Sequence, residues 1–118
     1  MRIILTILLF VNLAFSIELK AQNSHDNLAS KNFLSSLSVY PNPIEDKINV
    51  NFLVKKDNIV SIKLIDVLGN EIAVILNDKF TAGEYSKSFL VPSKVTKGLY
   101  FVKVSVGTEV GIKRISIQ

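Results

Sequence analysis

The sequence predicts an all-β protein: a small immunoglobulin-like antiparallel β-sandwich of about seven strands, after a signal peptide and a short linker. Short segments from Leu37 onward alternate apolar and polar residues and are rich in Val, Ile, Phe and Tyr, as half-buried strands are. Turn residues separate these segments roughly every 8 to 12 residues. The chain has no Cys and no Trp, so it lacks the disulfide and the buried Trp of an immunoglobulin core, and the expected similarity is limited to the arrangement of strands. A small open barrel is the competing architecture.

The first 21 residues predict a secretion signal. A positive charge at Arg2 precedes an apolar run over residues 3–15, which is long enough for a signal peptide and too short to span a membrane. Residues 14–16 offer one cleavage site. We favour cleavage after Ala21, because the residues before it fit the polar end of a signal. An N-terminal anchor that is never cut is the alternative.

A flexible polar linker is predicted over residues 22–36, which are rich in Asn and Ser and lack periodicity. The folded domain is then residues 37–118. Without Cys it has no disulfides, and its stability depends on its core alone.

Seven strands are predicted within this domain. Loops are expected over residues 77–83 and 92–97, and no stretch shows a sustained helical period. In the second strand Ile48, Val50 and Phe52 are predicted to share one face. In the third strand Val60, Ile62 and Leu64 are predicted to face inward. The predicted strands cover residues 37–40, 47–54, 59–66, 71–76, 84–91, 99–106 and 110–117.

The composition argues against several kinds of function. The net charge of +4 is spread along the strands, whereas nucleic-acid binding needs clustered cations with stacking aromatics. The single histidine, His25, lies in the linker without catalytic or zinc-binding partners. Glu45, Asp46 and Asp57 could hold calcium across a turn, but carboxylates at turns are normally just solvated. We therefore expect no enzyme activity, no cofactor and no small-molecule substrate.

A series of short motifs runs along the folded part in a fixed order and ends at the last residues of the chain. Together they resemble the C-terminal sorting domain of the type IX secretion system (Por secretion system) of Bacteroidetes-type bacteria. The resemblance covers residues 37–118. The motifs are Val39-Tyr40-Pro41-Asn42-Pro43, IVSIKLIDVLGN (59–70), Ala82-Gly83, KGLYFVKV (97–104) and KRISI (113–117).

This resemblance implies a path of export. Such proteins cross the inner membrane through the Sec translocon, lose their signal to signal peptidase and pass through the periplasm. The outer-membrane translocon then recognises the folded domain, and a sortase-like peptidase usually removes it. The cargo reaches the cell surface or the medium, and the domain itself is not an enzyme. Known members carry a large cargo. The expected linker, the only place for cargo, has just 15 residues. The sequence could therefore represent a gene fragment, a remnant or a very small exported protein.

The residues expected to carry recognition come from these motifs. The prolines fix φ and withhold N–H groups, which ends the first strand sharply. The glycines allow tight turns. The last strand lies at the chain end, where a receptor could add a strand to its edge. The candidates are Pro41, Asn42, Pro43, Gly69, Gly98, Tyr100, Lys113 and Arg114.

Two other functions compete with a sorting signal. One is a free-standing exported β-sandwich that binds a carbohydrate or a cell-surface protein. The absence of Trp and the presence of three Tyr argue mildly against a carbohydrate site, which needs exposed aromatic platforms. The other is a structural subunit of a surface appendage that assembles by strand exchange.

Overall fold

The computed structural model describes residues 32–118. The predicted signal peptide, its cleavage site at Ala21, His25 and most of the predicted linker lie outside the described residues. The elements in chain order are α1 (Phe33–Ser36), β1 (Ser38–Tyr40), β2 (Lys47–Val54), β3 (Asn58–Asp66), β4 (Glu71–Phe80), β5 (Gly83–Leu90), β6 (Gly98–Val106) and β7 (Glu109–Ile117).

The strands form two antiparallel sheets, which confirms the predicted seven-stranded β-sandwich. A three-stranded sheet has the order β1-β2-β5, and a four-stranded sheet has the order β4-β3-β6-β7. In an immunoglobulin constant domain the fourth strand joins the sheet of the first, second and fifth. Here β4 instead pairs with β3. The two sheets are separate, so the open-barrel alternative does not describe this fold.

Alternating side chains of β2, β3 and β6 build the core between the sheets, and the inward face predicted for the third strand is confirmed. Ile48, Val50 and Phe52 of β2 face Val60, Ile62 and Leu64 of β3, and all six are 0–2% exposed. Tyr100, Val102 and Val104 of β6 complete this layer, and the residues between them are half-buried on the outer side. Burial on this scale supplies the main favourable free energy of folding.

The prediction of a loop over residues 77–83 is wrong, because β4 continues to Phe80. Asn77 pairs with Ser61, and Phe80 pairs with Asn58. The register over residues 77–80 is regular, and the residues at 77–79 are Asn, Asp and Lys, all exposed. The polar end of this edge strand therefore lacks the alternation that identifies strands in a sequence.

The last residues of the predicted linker are folded. Asn32 caps α1, and its side-chain oxygen accepts a hydrogen bond of 2.9 Å from the Leu34 N–H. Phe33 is 2% exposed and belongs to the core. Gly111 of β7 leaves room for Phe33 and Leu37, because a side chain at Gly111 would overlap them. Four residues are too few to show a helical period, so periodicity could not predict α1.

Candidate functional site

The Pro-Asn-Pro motif is bonded to the last residues of the chain. The Ser116 N–H donates to Asn42 Oδ1 (3.0 Å), and the Ile44 N–H donates to the Ser116 carbonyl (2.7 Å). The Gln118 N–H donates to the Ile44 carbonyl (2.8 Å), and Ile44 forms a parallel bridge with Ile117. We call these five residues the C-terminal clamp. It covers the outer edge of β7 at its C-terminal end, and Ile44 and Ile117 are both buried.

The two prolines of the motif flank Asn42 and are exposed. The Tyr40-Pro41 and Asn42-Pro43 peptide bonds are both cis. β1 ends at Tyr40, immediately before the motif. The motif thus separates the short edge strand β1 from the clamp.

Tyr100 is 8% exposed and is tied to the loop before β6. Its hydroxyl donates to the Thr96 carbonyl (2.8 Å) and lies 3.3 Å from Thr96 Oγ1. The Tyr100 ring lies 3.7 Å from where a Cβ on Gly98 would stand, and Gly98 has a φ of 152°. The glycine therefore allows the ring to fold back along the chain toward Thr96.

The same arrangement occurs a second time, at the start of β5, where the threonine and the tyrosine are residues that the sequence motifs did not single out. The Tyr85 hydroxyl donates to the Thr81 carbonyl (2.7 Å) and lies 3.0 Å from Thr81 Oγ1, with Gly83 under the ring. Both sites have the sequence Thr-x-Gly-x-Tyr, at residues 81–85 and 96–100. A tyrosine that bonds back to the chain a few residues upstream is a known corner device of β-sandwiches. The repeated spacing was visible in the sequence.

Gly69 lies in the β3–β4 turn and has a φ of 89°, which disfavours any residue with a side chain. Asp66 organises this turn. Its Oδ1 accepts from the backbone N–H groups of Asn70 (2.8 Å) and Leu68 (3.0 Å), and its Oδ2 accepts from the Asn70 side chain (3.1 Å). The backbone hydrogen bond from Asn70 is the main cause that lowers the pKa of the Asp66 carboxyl below its ordinary 3.8.

Lys113 and Arg114 are exposed neighbours on the edge strand β7. Because side chains alternate along a strand, Lys113 shares a strand face with the buried Gly111 and Ile115, whereas Arg114 lies on the outer face. Arg114 is paired across the strands with Phe101.

The structure places the candidate residues near one end of the four-stranded sheet. Tyr100 pairs with Asp66 on one side and with Ile115 on the other, and Gly98 pairs with Ile117. The β3–β4 turn with Gly69, the start of β6 and the C-terminal clamp therefore lie at the same end. Lys113 and Arg114 precede that end by a few residues on β7.

The described residues offer no metal centre or membrane helix. Within residues 32–118, no group of three His, Cys, Asp or Glu side chains is placed to hold a metal ion. The carboxylate of Asp57 accepts a hydrogen bond of 2.9 Å from the Ala82 N–H, so it serves the β4–β5 turn. The helix in this part of the chain is too short to cross a membrane.

The fold and its clustered motifs define a small antiparallel β-sandwich module whose C-terminal residues are built into its structure. Residues 38–118 match the family described as "Secretion system C-terminal sorting domain", and the chain therefore belongs to the family of type IX C-terminal sorting domains. No curated protein matches the chain. The family is one of sorting signals and is not an enzyme family. Membership implies interaction with the type IX machinery and export to the cell surface or the medium.

Proposed function

We propose that residues 37–118 are a sorting signal that the type IX outer-membrane translocon recognises in its folded form. The family match over residues 38–118 carries this proposal. The C-terminal clamp supports the requirement for folding, because Asn42 and Ser116 are 74 positions apart and meet only when the sandwich has formed.

The proposed route has three steps. The Sec translocon takes the chain into the periplasm on residues 1–21, and signal peptidase cuts after Ala21. The translocon then binds the folded domain and exports it with whatever is attached to it. A sortase-like peptidase finally removes the domain, and the attached part stays at the surface or is released.

The motif residues have two kinds of role in this proposal. Asn42, Gly98 and Tyr100 maintain the shape of the recognised end through the contacts described above. Pro41, Pro43, Lys113 and Arg114 are exposed and are available to touch the machinery. Gly69 allows the backbone conformation of the β3–β4 turn at the same end of the sheet.

An export assay tests the proposal. A fluorescent reporter is inserted after Asn27 of the full chain, which is expressed in a type IX-competent host and in a translocon-deficient strain. We expect reporter at the surface or in the medium of the competent host and reporter held in the periplasm of the deficient strain. Retention in the periplasm of both strains contradicts the proposal and favours a carbohydrate- or protein-binding module.

Removal of the domain is tested in the same cells. In the competent host the exported reporter is expected to be shorter by about the mass of the sorting domain. In a strain that lacks the sortase-like peptidase it keeps that mass. If the competent host exported the reporter with the sorting domain still attached, the domain would be exported without being removed. That result would overturn only the last step of the proposed route.

A further inference from the structure

The outer faces of the two sheets differ in chemistry. The outer face of the three-stranded sheet is mostly neutral and polar at its centre, where Asn49 pairs with Ser88 and Asn51 pairs with Ser86. The four-stranded sheet instead exposes apolar side chains on its outer face. Among the described residues, its strands carry these exposed large apolar side chains: Ile59, Val74, Leu99, Val110 and Ile112.

Apolar and basic side chains alternate at the centre of this second face. In one row across the strands, Ile65 pairs with Phe101 and Phe101 with Arg114. In the next row, Lys63 pairs with Lys103 and Lys103 with Ile112. We call these six residues the apolar–basic face. A shallow depression of about 320 Å³ lies against it, lined in part by Ile65, Phe101, Lys103 and Ile112.

The positive charge of this face is only partly balanced within the described residues, where Asp66 lines the same depression as Lys103 without forming an ion pair with it. Lys63 and Lys103 stand directly opposite each other, which is an unfavourable cross-strand pair. Glu71 Oε1 lies 2.9 Å from Lys63 Nζ and balances that charge. Neither Lys103 nor Arg114 has a carboxylate partner in residues 32–118. A partner that brings carboxylates would relieve this repulsion.

The sheet edges are poorly suited to the strand addition that the sequence suggested for β7. Lys113 on β7 and Lys87 on β5 each lie on the core-side face of an edge strand, a device that blocks pairing with another chain. The C-terminal clamp covers the end of β7. On the other two edge strands, β4 has two register irregularities and β1 has three residues followed by prolines. A face of the sandwich is therefore a better docking site than its edges.

We propose that the apolar–basic face is where a protein of the export machinery docks, through a surface that is apolar at its centre and carries carboxylates opposite Lys103 and Arg114. This inference rests on the proposed sorting function and assigns the surface that performs it. A lipid surface fits less well, because Lys63 and Lys103 lie on the central strands among the apolar side chains. Insertion into acyl chains would bury their ammonium groups, whereas a protein carboxylate pairs with them.

The test reverses the two unbalanced charges. Lys103→Glu/Arg114→Glu is introduced into the full chain that carries the reporter after Asn27. The matched control, Lys56→Glu/Lys94→Glu, makes the same change in net charge at two exposed loop lysines. We expect at least about a tenfold fall in exported reporter for the first variant and export near the unaltered level for the control.

A milder variant separates a loss of docking from a failure to fold. Lys103→Gln/Arg114→Gln removes both charges without adding repulsion, and circular dichroism melts of the purified chains establish which variants are folded. We expect this variant to fold and to show a smaller loss of export than the reversal. Export of folded neutral and reversed variants at the unaltered level would overturn the inference while leaving the sorting function in place. Failure of the unaltered chain to leave the periplasm would instead overturn the sorting function itself.

Binding to vesicles separates a protein partner from a membrane. The purified full chain and the reversed variant are sedimented with phosphatidylcholine vesicles, with and without phosphatidylglycerol. We expect no binding that depends on Lys103 and Arg114. Binding to the anionic vesicles that the reversal abolishes would overturn the assignment to a protein and point to a lipid surface.

Discussion

Removal of Ser116, Ile117 and Gln118 is expected to unfold the domain, because the C-terminal clamp holds the segment between β1 and β2 against the end of β7. The deletion removes all three hydrogen bonds of the clamp. It also removes the side chain of Ile117, which is 5% exposed, and uncovers Ile44, which is fully buried.

The size of the effect follows from these contacts. Three hydrogen bonds contribute about 0.5–1.5 kcal/mol each, and loss of a buried Ile side chain costs about 2–5 kcal/mol. The sum is about 3.5–9.5 kcal/mol. A domain of about 80 residues has a free energy of unfolding of roughly 4–12 kcal/mol, at about 0.05–0.15 kcal/mol per residue. The deletion therefore removes most or all of the stability.

A urea titration followed by circular dichroism measures the loss in the free energy of unfolding. Circular dichroism is used because the chain has no Trp to report unfolding by fluorescence. Deletion of Gln118 alone is the control. It removes one hydrogen bond, so we expect a loss of about 1 kcal/mol and a Tm lower by about 4–8 °C. A three-residue truncation that unfolds at the same urea concentration as the intact chain would refute the structural role of the clamp.

Three further predictions concern single residues. Tyr100→Phe loses the hydrogen bond to the Thr96 carbonyl, so thermal melts should show a Tm lower by about 4–8 °C for a loss of about 1 kcal/mol; an unchanged Tm would contradict this. Gly107→Ala places a side chain at a φ of 60° and against the side chain of Asn58, so urea titration should show a loss of about 1 kcal/mol or more; a stabilised variant would contradict this. The lowered pKa of Asp66 means that its ionised form stabilises the fold above the ordinary pKa of 3.8, and that this contribution is lost as the pH falls through the lowered pKa. Asp66→Asn should therefore lower the Tm at neutral pH, and the difference from the unaltered chain should shrink as the pH falls through the lowered pKa of Asp66; a difference that grows toward acid would contradict the sign.

The sequence predicted the strands that bury one face, because their period of two is unbroken. Ile48, Val50 and Phe52 illustrate this, with polar residues between them. The extension of β4 to Phe80 was missed because residues 77–79 are all polar and exposed, so the strand shows no alternation there. The helix α1 was missed because four residues carry no period, and its only local sign is the Asn32 cap.

The candidate residues were identified by resemblance, but their arrangement required the structure. Nothing in a single sequence indicates that Asn42 bonds to Ser116, because that contact depends on the path of the whole chain between them. The pairing of Lys63 with Lys103 likewise depends on β3 and β6 being neighbours, although 31 residues separate β3 from β6. The repeated Thr-x-Gly-x-Tyr pattern is the exception, since its contacts are local and its spacing could have been read directly.

These contacts change how a loss of export should be interpreted. A variant at Asn42, Tyr100 or the last three residues weakens the fold, and a translocon that recognises a folded domain would then fail to bind it. Loss of export at these positions therefore does not identify a contact with the machinery. Lys103 and Arg114 differ, because they are on the outer face and have no carboxylate partner among residues 32–118. A loss of export there with an unchanged Tm would locate a contact surface, and the same loss with a lowered Tm would not.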